Sequence, residues 1–137
     1  MDARRDLVAG RYFLDTHVLI ELGSAEGLQA MPTTVRRLLA DPETERLISV
    51  ASEIEIAIKN HIGKLHITRN ELATICAKGL ITSYPIRGEH ADRLFDLPLH
   101  HRDPFDRLII STALTDNIPV ITRDRQFRKY KGLQVVW

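Results

Sequence analysis

Tyr12-Phe13-Leu14-Asp15-Thr16 is the stretch from which the fold is predicted. An apolar run that ends in an acid and passes directly into helix-periodic sequence is typical of a strand leading into a helix in an α/β protein. Val120-Ile121-Thr122-Arg123-Asp124 repeats this arrangement near the carboxyl end. Because ligands of open α/β sheets bind at the carboxyl ends of the strands, Asp15 and Asp124 are candidate site residues. An ordinary N-cap is the alternative for Asp15.

Apolar runs alternate with helix-periodic stretches along the rest of the chain, which predicts a doubly wound α/β fold. Its central, mainly parallel sheet of about five strands is flanked by helices. The predicted strands are residues 11–15, 47–51, 81–86, 118–122 and 133–136. The predicted helices are residues 16–22, 33–40, 52–62, 69–79, 89–97 and 104–115. We expect residues 1–137 to form a single domain, with residues 1–10 as a mobile N-terminal extension.

Composition narrows the class of protein. The chain has 137 residues, 44% hydrophobic and 27% charged, which is typical of a globular protein rather than a disordered one. A single cysteine, Cys76, cannot form an internal disulfide, so we expect a cytoplasmic location. No apolar run reaches the roughly 18–20 residues of a membrane span, and the charged N-terminus is unlike a secretory signal. With a net charge of +1, any nucleic-acid site must be local.

The third predicted helix carries two acids, Glu53 and Glu55. At about 100° per residue, its isoleucines form one stripe that we expect to face the core, continued by a leucine beyond the helix: Ile54, Ile58, Ile62 and Leu65. Glu55 lies at the edge of this stripe and Glu53 on the opposite side, so Glu55 is the candidate for a buried role. A capping box with the serine three residues earlier and an ion pair with Lys59 are the ordinary alternatives for Glu55.

Two further acids open the last long helix. Asp103 precedes Pro104 and suits an N-cap, because proline is favoured at the first helical position. Asp106 falls on the apolar stripe of the same helix, beside Ile109, Ile110, Ala113 and Leu114. A carboxylate in that position must be paired, hydrogen-bonded or bound to a metal.

Four acids therefore share a position at a strand end or an early helical turn: Asp15, Glu55, Asp106 and Asp124. Carboxylates without cysteine or histidine partners favour hard cations, Mg²⁺ or Mn²⁺. Such ions suit phosphodiester cleavage, because they polarise phosphoryl oxygens and activate water. His100 and His101 show no spacing typical of zinc, so a surface or loop role is the plainer interpretation, with a position near the site as the alternative.

Residues 123–131 hold five basic residues and one acid. A solvated helix face is the plain interpretation, but next to a carboxylate cluster such a segment is also a candidate track for an RNA backbone. The candidate RNA contacts of the whole chain are Thr16, Lys59, Arg107, Thr122, Arg123, Arg125, Arg128 and Lys129.

Four pieces of sequence, taken in order, resemble one known family. They are Phe-Leu-Asp-Thr-His at 13–17, Ser-Val-Ala-Ser-Glu-Ile-Glu-Ile-Ala-Ile-Lys at 49–59, Leu-Pro-Leu-His-His-Arg-Asp-Pro-Phe-Asp-Arg-Leu-Ile-Ile at 97–110 and Ile-Thr-Arg-Asp-Arg-Gln-Phe at 121–127. Together they resemble the PIN domain, specifically the VapC-type toxins of type II toxin–antitoxin modules, over residues 13–137. One departure is Ile54, where close relatives often carry an aromatic residue.

The resemblance implies a doubly wound α/β fold and a metal-dependent ribonuclease. By motif, the family's four acids fall on Asp15, Glu55, Asp106 and Asp124, which would be both catalytic and ligands of Mg²⁺ or Mn²⁺. It implies hydrolysis of tRNA, rRNA or mRNA by activated water, inhibition by a cognate antitoxin, and a homodimer. Glu53 and Asp103 stay open as acids that assist the site.

Three other functions were considered. A receiver domain needs an acid after a middle strand, and Tyr84-Pro85-Ile86-Arg87 carries none. A haloacid-dehalogenase phosphatase needs Asp-x-Asp, which Asp15-Thr16-His17 lacks. The remaining alternative is a catalytically inactive PIN module that binds RNA or a protein partner.

Overall fold

The structure, a computed structural model, describes residues 10–137. Apart from Gly10, the predicted N-terminal extension lies outside the described residues. The strands are β1 (Arg11–Leu14), β2 (Glu45–Ser49), β3 (Ile81–Tyr84), β4 (Val120–Ile121) and β5 (Val135–Val136). The helices are α1 (Thr16–Leu22), α2 (Thr33–Ala40), α3 (Val50–His61), α4 (Arg69–Gly79), α5 (Gly88–Arg93) and α6 (Pro104–Asp116), with a 3-10 helix at Arg125–Lys129.

The five strands form one parallel sheet in the order β3-β2-β1-β4-β5. From β1 the chain runs outward through β2 to β3, and then returns to build β4 and β5 on the other side of β1. The order therefore reverses between β1 and β4, where Leu14 pairs with Ile121. Such a switch point leaves a crevice at the carboxyl ends of the strands. The predicted α/β architecture is confirmed.

Both faces of the sheet are covered at its centre, which explains why Tyr12, Phe13 and Leu14 of β1 and both residues of β4 are buried. At the edge of the sheet, β3 exposes Thr82 and Ser83. Neighbouring strand residues alternate between two cores: Leu14 belongs to one and Phe13 to the other. The first core includes apolar residues of α1, α2 and α4, and the second is filled mainly from α6. No helix among residues 10–137 is long and apolar enough to cross a membrane.

Several element boundaries differ from those expected. The predicted strands at 81–86, 118–122 and 133–136 are shorter in the structure, and α5 ends at Arg93 rather than residue 97. Helix α3 begins at Val50, because Ser49 is its N-cap and the Ser49 hydroxyl accepts a hydrogen bond from the Ala51 amide at 3.0 Å. The alternative interpretation of Glu55 as the end of a capping box is therefore wrong, because Ser52 lies within the helix and does not cap it.

The orientation of α3 is also the reverse of the one expected. The isoleucine stripe is exposed: Ile54 by 42%, Ile58 by 46% and Ile62 by 55%. The buried side of the helix is formed instead by Ala51, Ser52, Glu55 and Ile56. Periodicity identified an apolar face, but this face of α3 is not the one that packs on the core.

Candidate active site

Asp15 and Asp124 follow two adjacent strands, β1 and β4, at the switch point of the sheet. The Thr122 hydroxyl connects them: it donates a short hydrogen bond to Asp15 Oδ2 and accepts one from the Asp124 amide at 3.0 Å. The Asp15 amide also donates to the Ile121 carbonyl at 3.1 Å. The ends of the two strands therefore hold both acids in a fixed relation.

Asp15 is only 1% exposed. Its Oδ1 accepts a hydrogen bond from the Val18 amide at 2.8 Å and so caps α1. Burial raises the pKa of the Asp15 carboxyl, while the hydrogen bonds from Thr122 and Val18 act in the opposite direction. The two interpretations of Asp15 from the sequence are compatible, because one oxygen caps the helix and the other faces Thr122.

Glu55 projects from the buried side of α3 and is 3% exposed. Its Oε2 accepts a hydrogen bond from Lys59 Nζ at 2.6 Å, and this contact raises the pKa of Lys59. Its other oxygen, Oε1, is buried without a hydrogen-bond partner among the described residues. A buried carboxylate oxygen without a donor is costly, so this atom indicates a missing ligand.

Asp106 lies in the first turn of α6 and is 7% exposed, as its place on the apolar stripe predicted. Burial, followed by repulsion from Asp103 and the other three acids, raises the pKa of Asp106 to about 8. Asp103 itself is the predicted N-cap: its Oδ1 accepts from the amides of Phe105 and Asp106 at 2.9 and 3.0 Å.

Asp124 is the most accessible of the four acids, with a side chain 35% exposed. Its Oδ1 accepts from the Gln126 amide at 2.9 Å and caps the 3-10 helix. Its Oδ2 lies 2.8 Å from His101 Nε2, which is also 3.0 Å from Asp106 Oδ2. One imidazole therefore connects Asp106 to Asp124.

The four acids form one electrostatic group, since repulsion from Asp15, Glu55 and Asp124 acts on Asp106. Like charges in a buried crevice repel unless a cation neutralises them. Carboxylate oxygens are the ligands that Mg²⁺ and Mn²⁺ prefer, and the unpartnered Oε1 of Glu55 supplies a free one. The residues present therefore fit a hard divalent cation.

Comparison with known proteins identifies the family of this fold and site. A protein-family model for the PIN domain matches residues 12–133, which is most of the chain. The chain belongs to the PIN domain family. No match was found among curated proteins.

Solved structures agree with the PIN fold. A chain of VapBC2 from Rickettsia felis, bound to a DNA fragment from its promoter, is similar with a TM-score of 0.65 and 16% identity, over 93% of this chain and 98% of that one. FitAcB from Neisseria gonorrhoeae gives 0.58 and 18%, over 92% and 96%. VapC20 from Mycobacterium tuberculosis, described as a sarcin-ricin loop cleaving toxin, gives 0.57 and 14%, over 86% and 93%.

The candidate RNA contacts of this PIN domain differ in accessibility. Thr16 and Thr122 are 3% and 0% exposed, and their hydroxyls donate to Ser52 Oγ and to Asp15. Both hydroxyls therefore form hydrogen bonds within the crevice, and the contact of these two threonines with RNA stays a prediction. Arg107 donates to three backbone carbonyls, those of Leu97, Pro98 and His101. Its guanidinium therefore anchors the loop before α6.

The remaining basic candidates lie at the surface or its margin. Lys59 is 38% exposed in its side chain and remains bound to Glu55. Arg123 forms an ion pair with Glu21. Arg125, Arg128 and Lys129 are exposed on the 3-10 helix that Asp124 caps. These three residues are the best placed of the set to contact a polyanion near the acids.

His101 is the site residue for which the sequence analysis favours a surface or loop role, with proximity to the site only as the alternative. Adjacent histidines before a helix show no periodicity or metal-ligand spacing that would favour the site. The structure leaves His100 exposed with its ring 5.0 Å from that of Tyr130, and turns His101 toward the acids. The available signal was proximity, because His101 stands two residues before the N-cap of the helix that carries Asp106.

A second group of candidate ligands, Glu89, His90 and Asp116, lies elsewhere. Asp116 ends α6, ten residues or about 15 Å along the helix from Asp106. Its Oδ2 accepts from Tyr84 at 2.5 Å and Arg87 at 2.9 Å, and lies 2.9 Å from His90 Nε2. Although burial acts to raise the pKa of Asp116, the bonds from Tyr84 and His90 outweigh it and lower the pKa. This paired network joins β3, α5 and α6.

Proposed function

We propose that this PIN domain is a divalent-metal-dependent endoribonuclease that acts as the VapC-type toxin of a type II toxin–antitoxin pair. Asp15, Glu55, Asp106 and Asp124 are its catalytic acids and the ligands of a Mg²⁺ or Mn²⁺ ion. The substrate is RNA of the tRNA, rRNA or mRNA class, and the reaction is hydrolysis of a phosphodiester bond.

The observation that carries this proposal is the unpartnered Oε1 of Glu55. This oxygen is buried on a residue 3% exposed, and the acid beside it, Asp106, has a pKa raised to about 8. A purely structural crevice would satisfy that oxygen with a donor or replace the acids with apolar side chains. A site for a divalent cation accounts for both features at once.

The residues divide the work as follows. When bound, the ion polarises the phosphoryl oxygens and lowers the pKa of water, which supplies the nucleophile. The acids hold the ion's position, and Thr122 keeps Asp15 and Asp124 together at the strand ends. Lys59 holds Oε2 of Glu55 and leaves Oε1 free. Arg125, Arg128 and Lys129 bind the RNA backbone next to the acids.

The solved structures support an antitoxin partner. Chains similar to this one occur in VapBC2 of Rickettsia felis and in a toxin–antitoxin complex from Klebsiella pneumoniae. We infer that a cognate antitoxin holds this chain inactive, that the chain forms a homodimer, and that the pair acts in the cytoplasm.

The proposal is tested by RNA cleavage in Mn²⁺, with EDTA as the control. The wild type is expected to cut RNA only with the metal, and the variant that carries Asp15→Asn, Glu55→Gln, Asp106→Asn and Asp124→Asn is expected to be folded and inactive. Cleavage that persists in EDTA would refute the metal-dependent mechanism. A folded wild type that binds RNA but never cuts it would favour the inactive PIN module.

A further inference from the structure

We propose that His101 is a positioning residue of the site, whose Nε2–H holds the Asp124 carboxylate next to Asp106. The proposal rests on the proposed function, because it concerns the same four acids. His101 is neither one of the four proposed metal ligands nor one of the candidate RNA contacts, so the proposal gives it a role that the proposed function does not.

His101 Nε2 lies between two carboxylates that belong to different parts of the fold. It is 2.8 Å from Asp124 Oδ2, which follows β4, and 3.0 Å from Asp106 Oδ2, in the first turn of α6. The imidazole is 13% exposed in its side chain. A donor at this place compensates negative charge on both acids, which would otherwise repel each other.

The other ring nitrogen decides between a donor and a metal ligand. His101 Nδ1 accepts a hydrogen bond from the Asp103 amide at 3.2 Å. An acceptor nitrogen carries no proton, so the proton of the neutral ring is on Nε2. Nε2 therefore donates its one proton to Asp124 Oδ2, with Asp106 Oδ2 close by at 3.0 Å. Binding a cation through Nε2 would require the proton to move to Nδ1, against the Asp103 amide.

The imidazole is held by contacts that do not involve the four acids. The His101 amide donates to the Tyr130 hydroxyl at 2.9 Å, and its carbonyl accepts from Arg107 at 3.2 Å. Its ring meets that of Phe127 edge-on, with centroids 5.7 Å apart. These contacts with Tyr130, Arg107 and Phe127 orient the ring independently of the four acids, as a positioning residue requires.

Asp124 is the acid that depends most on such a group. Its side chain is 35% exposed, whereas the other three acids are buried. Its Oδ1 is committed to the Gln126 amide, so the direction of Oδ2 is defined by His101. Without that donor, Asp124 would lose one of its two side-chain contacts and spread over more orientations.

The test is the affinity of the full chain for Mn²⁺, measured by electron paramagnetic resonance of the free ion. His101→Leu keeps an apolar contact with Phe127 but removes the donor. His101→Gln places an amide N–H at a similar reach. We expect roughly 10- to 100-fold weaker Mn²⁺ binding for His101→Leu and at most about threefold weaker binding for His101→Gln. The matched control is His100→Leu, at the exposed neighbouring histidine, which should bind as the wild type does.

Each outcome decides the inference. Unchanged or tighter Mn²⁺ binding by His101→Leu would overturn it while leaving the metal site intact. Equal weakening in the leucine and glutamine variants would show that the imidazole itself, not the donor, is needed. If His101→Leu does not fold, the glutamine variant still decides, because a tenfold loss there contradicts the proposal. A wild type that binds no Mn²⁺ refutes the proposed function and, with it, this inference.

Discussion

The three buried carboxylates of the site differ in how their charge is compensated. Asp15 accepts hydrogen bonds from Thr122 and Val18, and Glu55 accepts one from Lys59. Asp106 lies 3.0 Å from His101 Nε2, but burial and the surrounding acids still raise its pKa to about 8. A bound cation therefore matters most for Asp106, and the unpartnered oxygen of Glu55 is the atom it would satisfy most directly.

At the residue scale, Glu55 and Glu53 of α3 provide a test variant and its matched control. Glu55→Gln keeps the size of the side chain but removes the charge, and we expect RNA cleavage in Mn²⁺ to fall by roughly 100-fold or more, since metal polarisation contributes several kcal/mol. Glu53→Gln, on the half-buried side of the same helix, should retain activity. Circular dichroism checks that both are folded. An inactive Glu53→Gln beside an active Glu55→Gln would contradict the assignment.

Asp106 makes the stability of the metal-free protein depend on pH. Its pKa in the folded chain is about 8, above the ordinary 3.8, so the folded state holds the proton more tightly than the unfolded state. The contribution of Asp106 to stability is fully present below its ordinary pKa of 3.8 and is lost as pH rises toward 8. In EDTA, the melting temperature of the wild type should fall between pH 5 and pH 9, and less steeply in Asp106→Asn. Parallel profiles for the two proteins would contradict this.

At the scale of elements, local signals predicted position better than orientation. A strand that ends in an acid is a local pattern, and Asp15 and Asp124 lie at strand ends as expected. Glu55 is buried as predicted, but the reason given was wrong. The isoleucine stripe of α3 was expected to face the core, whereas the isoleucines are exposed and Glu55 lies on the buried side. Hydrophobic periodicity finds an apolar face but cannot say which neighbour covers it. Proximity to the site was only the lesser alternative for His101, because tertiary contacts with Tyr130 and Arg107, not its own sequence pattern, direct it.

The 3-10 helix at Arg125–Lys129 carries the prediction at this scale. Replacing its three exposed basic residues with alanine should weaken RNA binding for all sequences: Arg125, Arg128 and Lys129. Each lost phosphate contact flattens the slope of log K against log salt by about 0.7 on a single strand, so the triple variant should lose about 2. The measurement is a filter-binding titration at several salt concentrations.

The matched control for that titration removes three positive charges from α2 and α4: Arg36, Arg37 and Lys78. These helices lead into the amino-terminal ends of β2 and β3, away from the acids. The control should leave the salt slope unchanged. Loss of binding for one RNA sequence alone, with the slope preserved in the Arg125, Arg128 and Lys129 variant, would mean that those residues read bases rather than the backbone.

At the scale of the whole molecule, the sheet order brings together acids that are distant in sequence. The reversal between β1 and β4 places Asp15 next to Asp124, and crossovers through α3 and α6 deliver Glu55 and Asp106 to the same edge. Alternating strands and helices predicted a parallel sheet, but the convergence of these acids depends on strand order, which the sequence pattern did not predict; the family resemblance implied only that the four acids act as a set. The site is therefore a property of the topology as well as of the motifs.

The most direct test of the central claim, that these four acids form a divalent-cation site, is the melting temperature with and without Mn²⁺. A ligand at 100 times its Kd adds about 2.7 kcal/mol to the folded state, so the wild type should melt about 5–10 °C higher with the metal. The variant with Asp15→Asn, Glu55→Gln, Asp106→Asn and Asp124→Asn should show no rise. An equal rise in that variant, or none in the wild type, would contradict the claim.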